Sequence, residues 1–168
     1  MTTQVYDKQY LVFGCGNTLF GNDGFGPEVV DEIKANHTLP DSVLVLDAGT
    51  GIRDLVFDLL LVDTPPQMVI VIDAVTVEGR RTGEVFEMDL SNVPREKMSD
   101  FSLHQAPSSN LLAQLAERGV HVRVVAMNTE FIPNEISPGL TPEARAAVKE
   151  AASRVVRMLK RNPASGVV

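Results

Sequence analysis

A single cysteine, Cys15, stands in a chain of 168 residues. It has no partner for an intramolecular disulfide and cannot build a cysteine-rich structural zinc site, which suits a reducing compartment. Basic residues are also scarce: 15 Lys and Arg face 22 Asp and Glu, a formal net charge of −7. No basic stripe interleaves with aromatics, so no nucleic-acid partner is expected. The longest apolar run, 55–62, is interrupted by Asp58 and falls far short of the ~20 apolar residues that a membrane-crossing helix needs, so no membrane is expected either. The opening stretch, MTTQVYDKQY, lacks a charged start followed by an apolar core and is not expected to be a signal peptide. The expected compartment is the cytoplasm. No serine lies in a G-x-S-x-G elbow, which removes the nucleophile of that hydrolase mechanism, and no compact metal motif such as H-E-x-x-H occurs.

What is present describes a globular chain, 44% hydrophobic and 22% charged, of a length that favours one domain over 1–168, ordered from about 9 to 161 and frayed at both tails. Apolar runs rich in Val, Leu and Ile occupy 10–13, 43–46, 68–72 and 120–127. They are continuous rather than alternating, as in strands covered on both faces. Amphipathic segments at 27–36, 53–62 and 109–118 lie between them. A final helix follows Thr141 as cap and Pro142 in the first turn, with Ala144, Ala147, Val148, Ala151, Val155 and Leu159 on one face. A further strand over 84–89 is separated from Asp73 by a short connection containing Gly79 and Gly83. A parallel crossover needs about a dozen residues or more and usually a helix, so this strand is expected to be antiparallel or at an edge. Residues 91–101 read as a surface loop. The fold class is α/β: a three-layer α/β/α sandwich around a mostly parallel, twisted five-stranded sheet with one antiparallel strand.

The most informative stretch is LVFGCGNTLFGNDGFGPEVV, residues 11–30. An apolar strand ends abruptly in Gly14 and Gly16, a polar loop carries Asn17, Asn22 and Asp23, and Gly26-Pro27 opens a helix. A polar, glycine-lined loop at the carboxyl end of a buried strand is where open α/β sheets bind ligands.

Three acids fall at or just after strand ends: Asp23, Asp47 in LDAGTG and Asp73 in VIDAV. His104, in FSLHQAPSSN, precedes a helix. Parallel topology brings such loops to one edge of the sheet. Two carboxylates and an imidazole form a ligand set with open positions for Zn, Ni, Mn or Fe(II). Each residue also has a structural reading. Asp47, followed by Gly49-Thr50-Gly51, reads first as a turn-forming acid. Asp23, among Gly21, Gly24 and Gly26, could stabilise a turn, and His104 could be a surface histidine. His37 and His121 read as structural. Cys15 raises a thiol nucleophile paired with His104, against the commoner role of a small buried side chain. Gly14-Cys15-Gly16 begins a dinucleotide fingerprint, but Leu19 replaces its third glycine and the helix near Gly26 starts too far downstream to serve that turn. A nucleotide-binding module and a non-catalytic metal-reading chaperone therefore stand beside an enzyme at this point.

Taken in order, GCGNTLFGNDGFG, LDAGTG, VIDAV, SLHQ and ISPGLTPEA resemble the hydrogenase maturation endopeptidases. The resemblance spans nearly the whole chain, from residue 11 to the last helix. It implies a twisted sheet between helices and an aspartic-type peptidase activity that removes the C-terminal extension of a nickel-iron hydrogenase large subunit after nickel insertion. The metal-contacting residues it implies are Asp23, Asp73 and His104, serving recognition and catalysis. The family often has a glutamate at the first position, so Asp23 keeps the charge but is one methylene shorter. The implied metal is nickel held by the substrate precursor, with no permanent cofactor. GCGNTLFGNDGFGPEVV and PNEISPGL look closest to the branch that serves F420-reducing hydrogenases.

Overall fold

The computed structural model describes residues 5–90 and 107–168. Within them the order is β1 (Tyr10–Cys15), α1 (Phe25–Asn36), β2 (Val43–Gly49), α2 (Ile52–Leu61), β3 (Met68–Val75), β4 (Val85–Asp89), α3 (Pro107–Glu117), β5 (His121–Asn128) and α4 (Pro142–Lys160). Single turns of 3-10 helix cover Gly21–Gly24 and Pro163–Ser165.

The strands form one sheet in the order β2-β1-β3-β5-β4. β1 pairs in parallel with β2 and β3, and β3 in parallel with β5. β4 pairs with β5 in the antiparallel sense and closes that edge, as its short, helix-free connection predicts. Every residue of β1 and β3 is buried, which explains why their sequences are apolar without alternation.

The period of two divides the core between two helical layers. Tyr10, Val12, Ile70 and Ile72 face α1 and α4 through Phe25, Val29, Ile33, Ala151 and Val155. Leu11, Phe13, Val69 and Val71 face α2 and α3 through Val56, Leu59, Leu112 and Leu115. α4 starts as its sequence dictates, with the Thr141 hydroxyl accepting from the Ala144 N–H and Pro at the first position. Arg118, just beyond α3, donates to the carbonyls of Leu59, Leu60 and Val62. Its cation thus completes the otherwise unsatisfied C-terminus of α2.

The expectation that 162–168 frays is corrected. Ser165 is fully buried, its hydroxyl donates to the Leu159 carbonyl (2.7 Å), and the Ser42 hydroxyl donates to the Ser165 carbonyl (2.6 Å). Val167 packs on the α1–α4 core layer. The short motif S-G-V gave no periodicity from which to read this docking. The loop expected at 91–101, and His104 with it, lie outside the described residues.

Candidate active site

The strand order turns back at β1. From β1 the chain goes to β2 on one side, and β3 then returns to the other. The crevice outside the carboxyl ends of β1 and β3 is therefore the topological switch point, where neighbouring loops diverge and leave room for a ligand. Asp23 follows β1 and Asp73 lies near the end of β3.

Glycines set how closely these parts approach. A Cβ on Gly26 would fall 2.3 Å from the Cys15 carbonyl oxygen and 2.6 Å from the Ile72 carbonyl oxygen. Only a glycine lets the first turn of α1 rest on the ends of both strands. Gly16 adopts φ 126°, and a Cβ there would overlap the Asp23 carbonyl oxygen at 1.7 Å. These contacts seat the Asp23 turn and the start of α1 against the ends of β1 and β3. They also correct one expectation: the helix after β1 begins well downstream in sequence yet packs directly on the strand end. The space beside Gly16 is filled by the backbone of Asp23, so the two glycines serve the chain's own loop rather than a pyrophosphate.

Asp23 is buried, and its carboxylate accepts the Asn17 N–H at 2.9 Å. Asp73 is also buried and stands in register with Ala126 of β5. Strand alternation puts it on the α2–α3 side of the sheet with Val69 and Val71, the side that also takes Phe13 and Cys15. Cys15 is buried in that layer. Burial pushes its thiol well above the ordinary range, and the negative charges of Asp73, Asp47 and Asp23 push it further. Burial and these charges together hold the thiol protonated and unreactive.

Asp47 takes the structural role. It is exposed, and its carboxylate accepts the Gly49 N–H at 2.8 Å in a tight turn. His37 follows α1 as its C-cap, and the exposed His121 starts β5 at the opposite edge. α3 feeds the amino end of β5 through Gly119, so its first residue, Pro107, lies at the carboxyl edge of the sheet with Asp23 and Asp73. Among the described residues, no group of three or more His, Cys, Asp or Glu has metal-holding geometry. A depression of 390 Å³ between β4 and α4 is lined by Arg81, Glu84, Glu143, Glu150 and Arg154. Arg154 pairs there with Glu150 at 2.8 Å, and the depression includes none of the candidate residues.

Reading the sequence did not find the polar frame that holds the edge together. Asn22 is buried and donates to the hydroxyls of Thr129 and Thr141, both at 3.2 Å, while its carbonyl accepts the Thr141 N–H at 2.9 Å. One side chain therefore ties the Asp23 turn to the end of β5 and to the start of α4. Asn128 is likewise buried, accepting from the Val77 N–H (2.8 Å) and donating to the Arg80 carbonyl (2.9 Å). The available signal was the polar pair Asn128-Thr129 closing an apolar strand.

Residues 27–158 match the hydrogenase maturation protease family. Over 157 residues the chain is 35% identical to the delta subunit of the coenzyme F420 hydrogenase of Methanothermobacter thermautotrophicus, covering 92% of this chain and 94% of that one. Over 152 residues it is 28% identical to the hydrogenase 2 maturation protease of Escherichia coli, covering 89% and 90%. In three dimensions it is similar to the hydrogenase maturating endopeptidase HybD from E. coli, with a TM-score of 0.70, 25% identity and coverage of 91% and 93%.

Proposed function

The chain belongs to the hydrogenase maturation protease family, and from that premise we propose that this peptidase removes the C-terminal extension of a nickel-loaded nickel-iron hydrogenase large subunit. The observation that supports the site assignment is the packing of Gly26 onto the Cys15 and Ile72 backbone, which seats the loop carrying Asp23 on the ends of β1 and β3, where Asp73 lies; both acids are buried. In this reading His104, from the segment before α3, is the third ligand beside Asp23, from the loop after β1, and Asp73, near the end of β3. Such a set touches an ion already held by another protein without enclosing it. Nickel in the precursor is then the recognition element, and the enzyme keeps no metal of its own.

Hydrolysis at this edge follows from the same groups. A water oxygen attacks the scissile carbonyl carbon, and a carboxylate of the pair takes its proton. The C–N bond breaks as that proton passes to the leaving amine. Cys15 has no part in it. The likeness to the F420 hydrogenase delta subunit supports an F420-reducing hydrogenase as the substrate's parent enzyme, and a cytoplasmic site of action fits a chain in which no described helix is long and apolar enough to cross a membrane.

Intact-mass measurement of nickel-loaded precursor tests the assignment. Asp73→Asn keeps the side chain's size and removes its charge, so processing should fall by at least about a hundredfold with no loss of fold. His104→Ala and Asp23→Ala should do likewise, whereas Asp23→Glu should retain substantial activity. A chaperone that only reads nickel would bind the wild-type precursor and leave its tail in place. Full activity of Asp73→Asn would remove that residue from the mechanism.

A further inference from the structure

Three large apolar side chains stand in water at the carboxyl edge: Leu19, Phe131 and Ile136, exposed by 45%, 69% and 70%. They belong to two loops, one after β1 and one after β5, and main-chain bonds join these loops. Ser137 donates its N–H to the Leu19 carbonyl and Gly21 donates to the Ser137 carbonyl, both at 2.8 Å. Phe131 is fixed at its root as well, since the hydroxyl of buried Thr129 donates to the Phe131 carbonyl at 2.9 Å. The same hydroxyl accepts from Asn22 at 3.2 Å, so the exposed ring and the Asp23 turn share one buried frame. Single exposed apolar side chains are ordinary, but three of them on two loops tied together by main-chain bonds are of the kind that contact surfaces use.

The charge of these loops is one-sided. Residues 16–24 and 129–140 contain Asp23, Glu130 and Glu135 and no Lys or Arg. Glu130 and Glu135 are exposed beside Phe131 and Ile136 in the chain. The surface is apolar with an acidic rim, and it continues directly into the candidate site, because the Leu19 loop also supplies the Asn17 amide that holds Asp23.

We propose that this joined-loop surface docks the precursor polypeptide through an apolar stretch flanked by Lys or Arg. The inference rests on the processing reading above and adds where the substrate is gripped and what chemistry it must present. Docking here lays the substrate chain across the Asp23 turn, while the acidic rim speeds encounter and sets register.

The test is steady-state processing of nickel-loaded precursor, with its C-terminal extension, by three full-length proteins. They are the wild type, the combined Leu19→Ser, Phe131→Ser, Ile136→Ser variant, and the combined Glu130→Lys, Glu135→Lys variant. The serine variant removes only exposed apolar surface and should keep the wild-type Tm. Its KM should rise about tenfold or more, with kcat within about twofold, because the lost contact is made equally before and in the transition state. The lysine variant should raise KM at low salt and converge on the wild type at high salt. An unchanged KM in the serine variant, or a loss confined to kcat, overturns the docking surface while wild-type processing stands. A salt-independent lysine variant overturns the basic-flank assignment. Wild-type protein that leaves the precursor full length refutes the processing reading and this proposal together.

Discussion

At the end of β1 the buried thiol of Cys15 feels the charges of Asp73, Asp47 and Asp23. Cys15 meets low polarity and three negative charges, each of which favours the neutral thiol. Native protein should therefore resist alkylation by iodoacetamide at neutral pH and become reactive only when unfolded. Cys15→Ala should process precursor normally, and a folded but inactive Cys15→Ala would restore the thiol as nucleophile. Gly16 is the second decisive residue. A methyl group there meets the Asp23 carbonyl oxygen at 1.7 Å on a backbone of positive φ, so either the turn moves or the strand end does. Gly16→Ala should cost on the order of 2–3 kcal/mol by chemical denaturation and lower processing beyond what the loss of folded protein explains, because it displaces Asp23.

At the scale of elements, the strands were legible in the sequence because β1 and β3 are buried on both faces, which leaves continuous apolar runs. α4 was legible because cap, proline and apolar face agree. The antiparallel β4 followed from the length of its connection alone. What could not be read were side chains whose partners are remote in sequence, such as Asn22 with Thr129 and Thr141, since nothing local distinguishes a bridging asparagine from a turn residue. The N-terminal segment is another case. Tyr6 donates its hydroxyl to Asp58 of α2, and this hydrogen bond, with burial and the charge of Asp58, raises the phenol from 10.0 to about 12. A group whose folded pKa lies above its unfolded value stabilises fully below the unfolded pKa and loses that contribution as pH rises through the folded one. Wild type should thus exceed Tyr6→Phe in stability below pH 10, with the difference fading as pH rises towards about 12. Urea denaturation of both proteins across that range checks it, and a gap independent of pH would show that Tyr6 acts through packing.

For the molecule as a whole, strand order is the fact that matters most, and it was the least accessible from sequence. Periodicity gives strands but not neighbours, and only the order β2-β1-β3-β5-β4 makes the ends of β1 and β3 a switch point. That geometry explains why acids 50 residues apart in sequence, Asp23 and Asp73, share one edge, and why the glycines of the first loop serve that approach rather than a nucleotide. Nickel-gated recognition is what we propose for this edge: the enzyme reads nickel in its substrate before cutting. It is tested most directly by the mass of the large-subunit precursor after incubation with this protein, in parallel preparations with and without nickel. Loss of the C-terminal peptide from the nickel-loaded precursor alone is the predicted result; cleavage of both preparations at equal rates would contradict it.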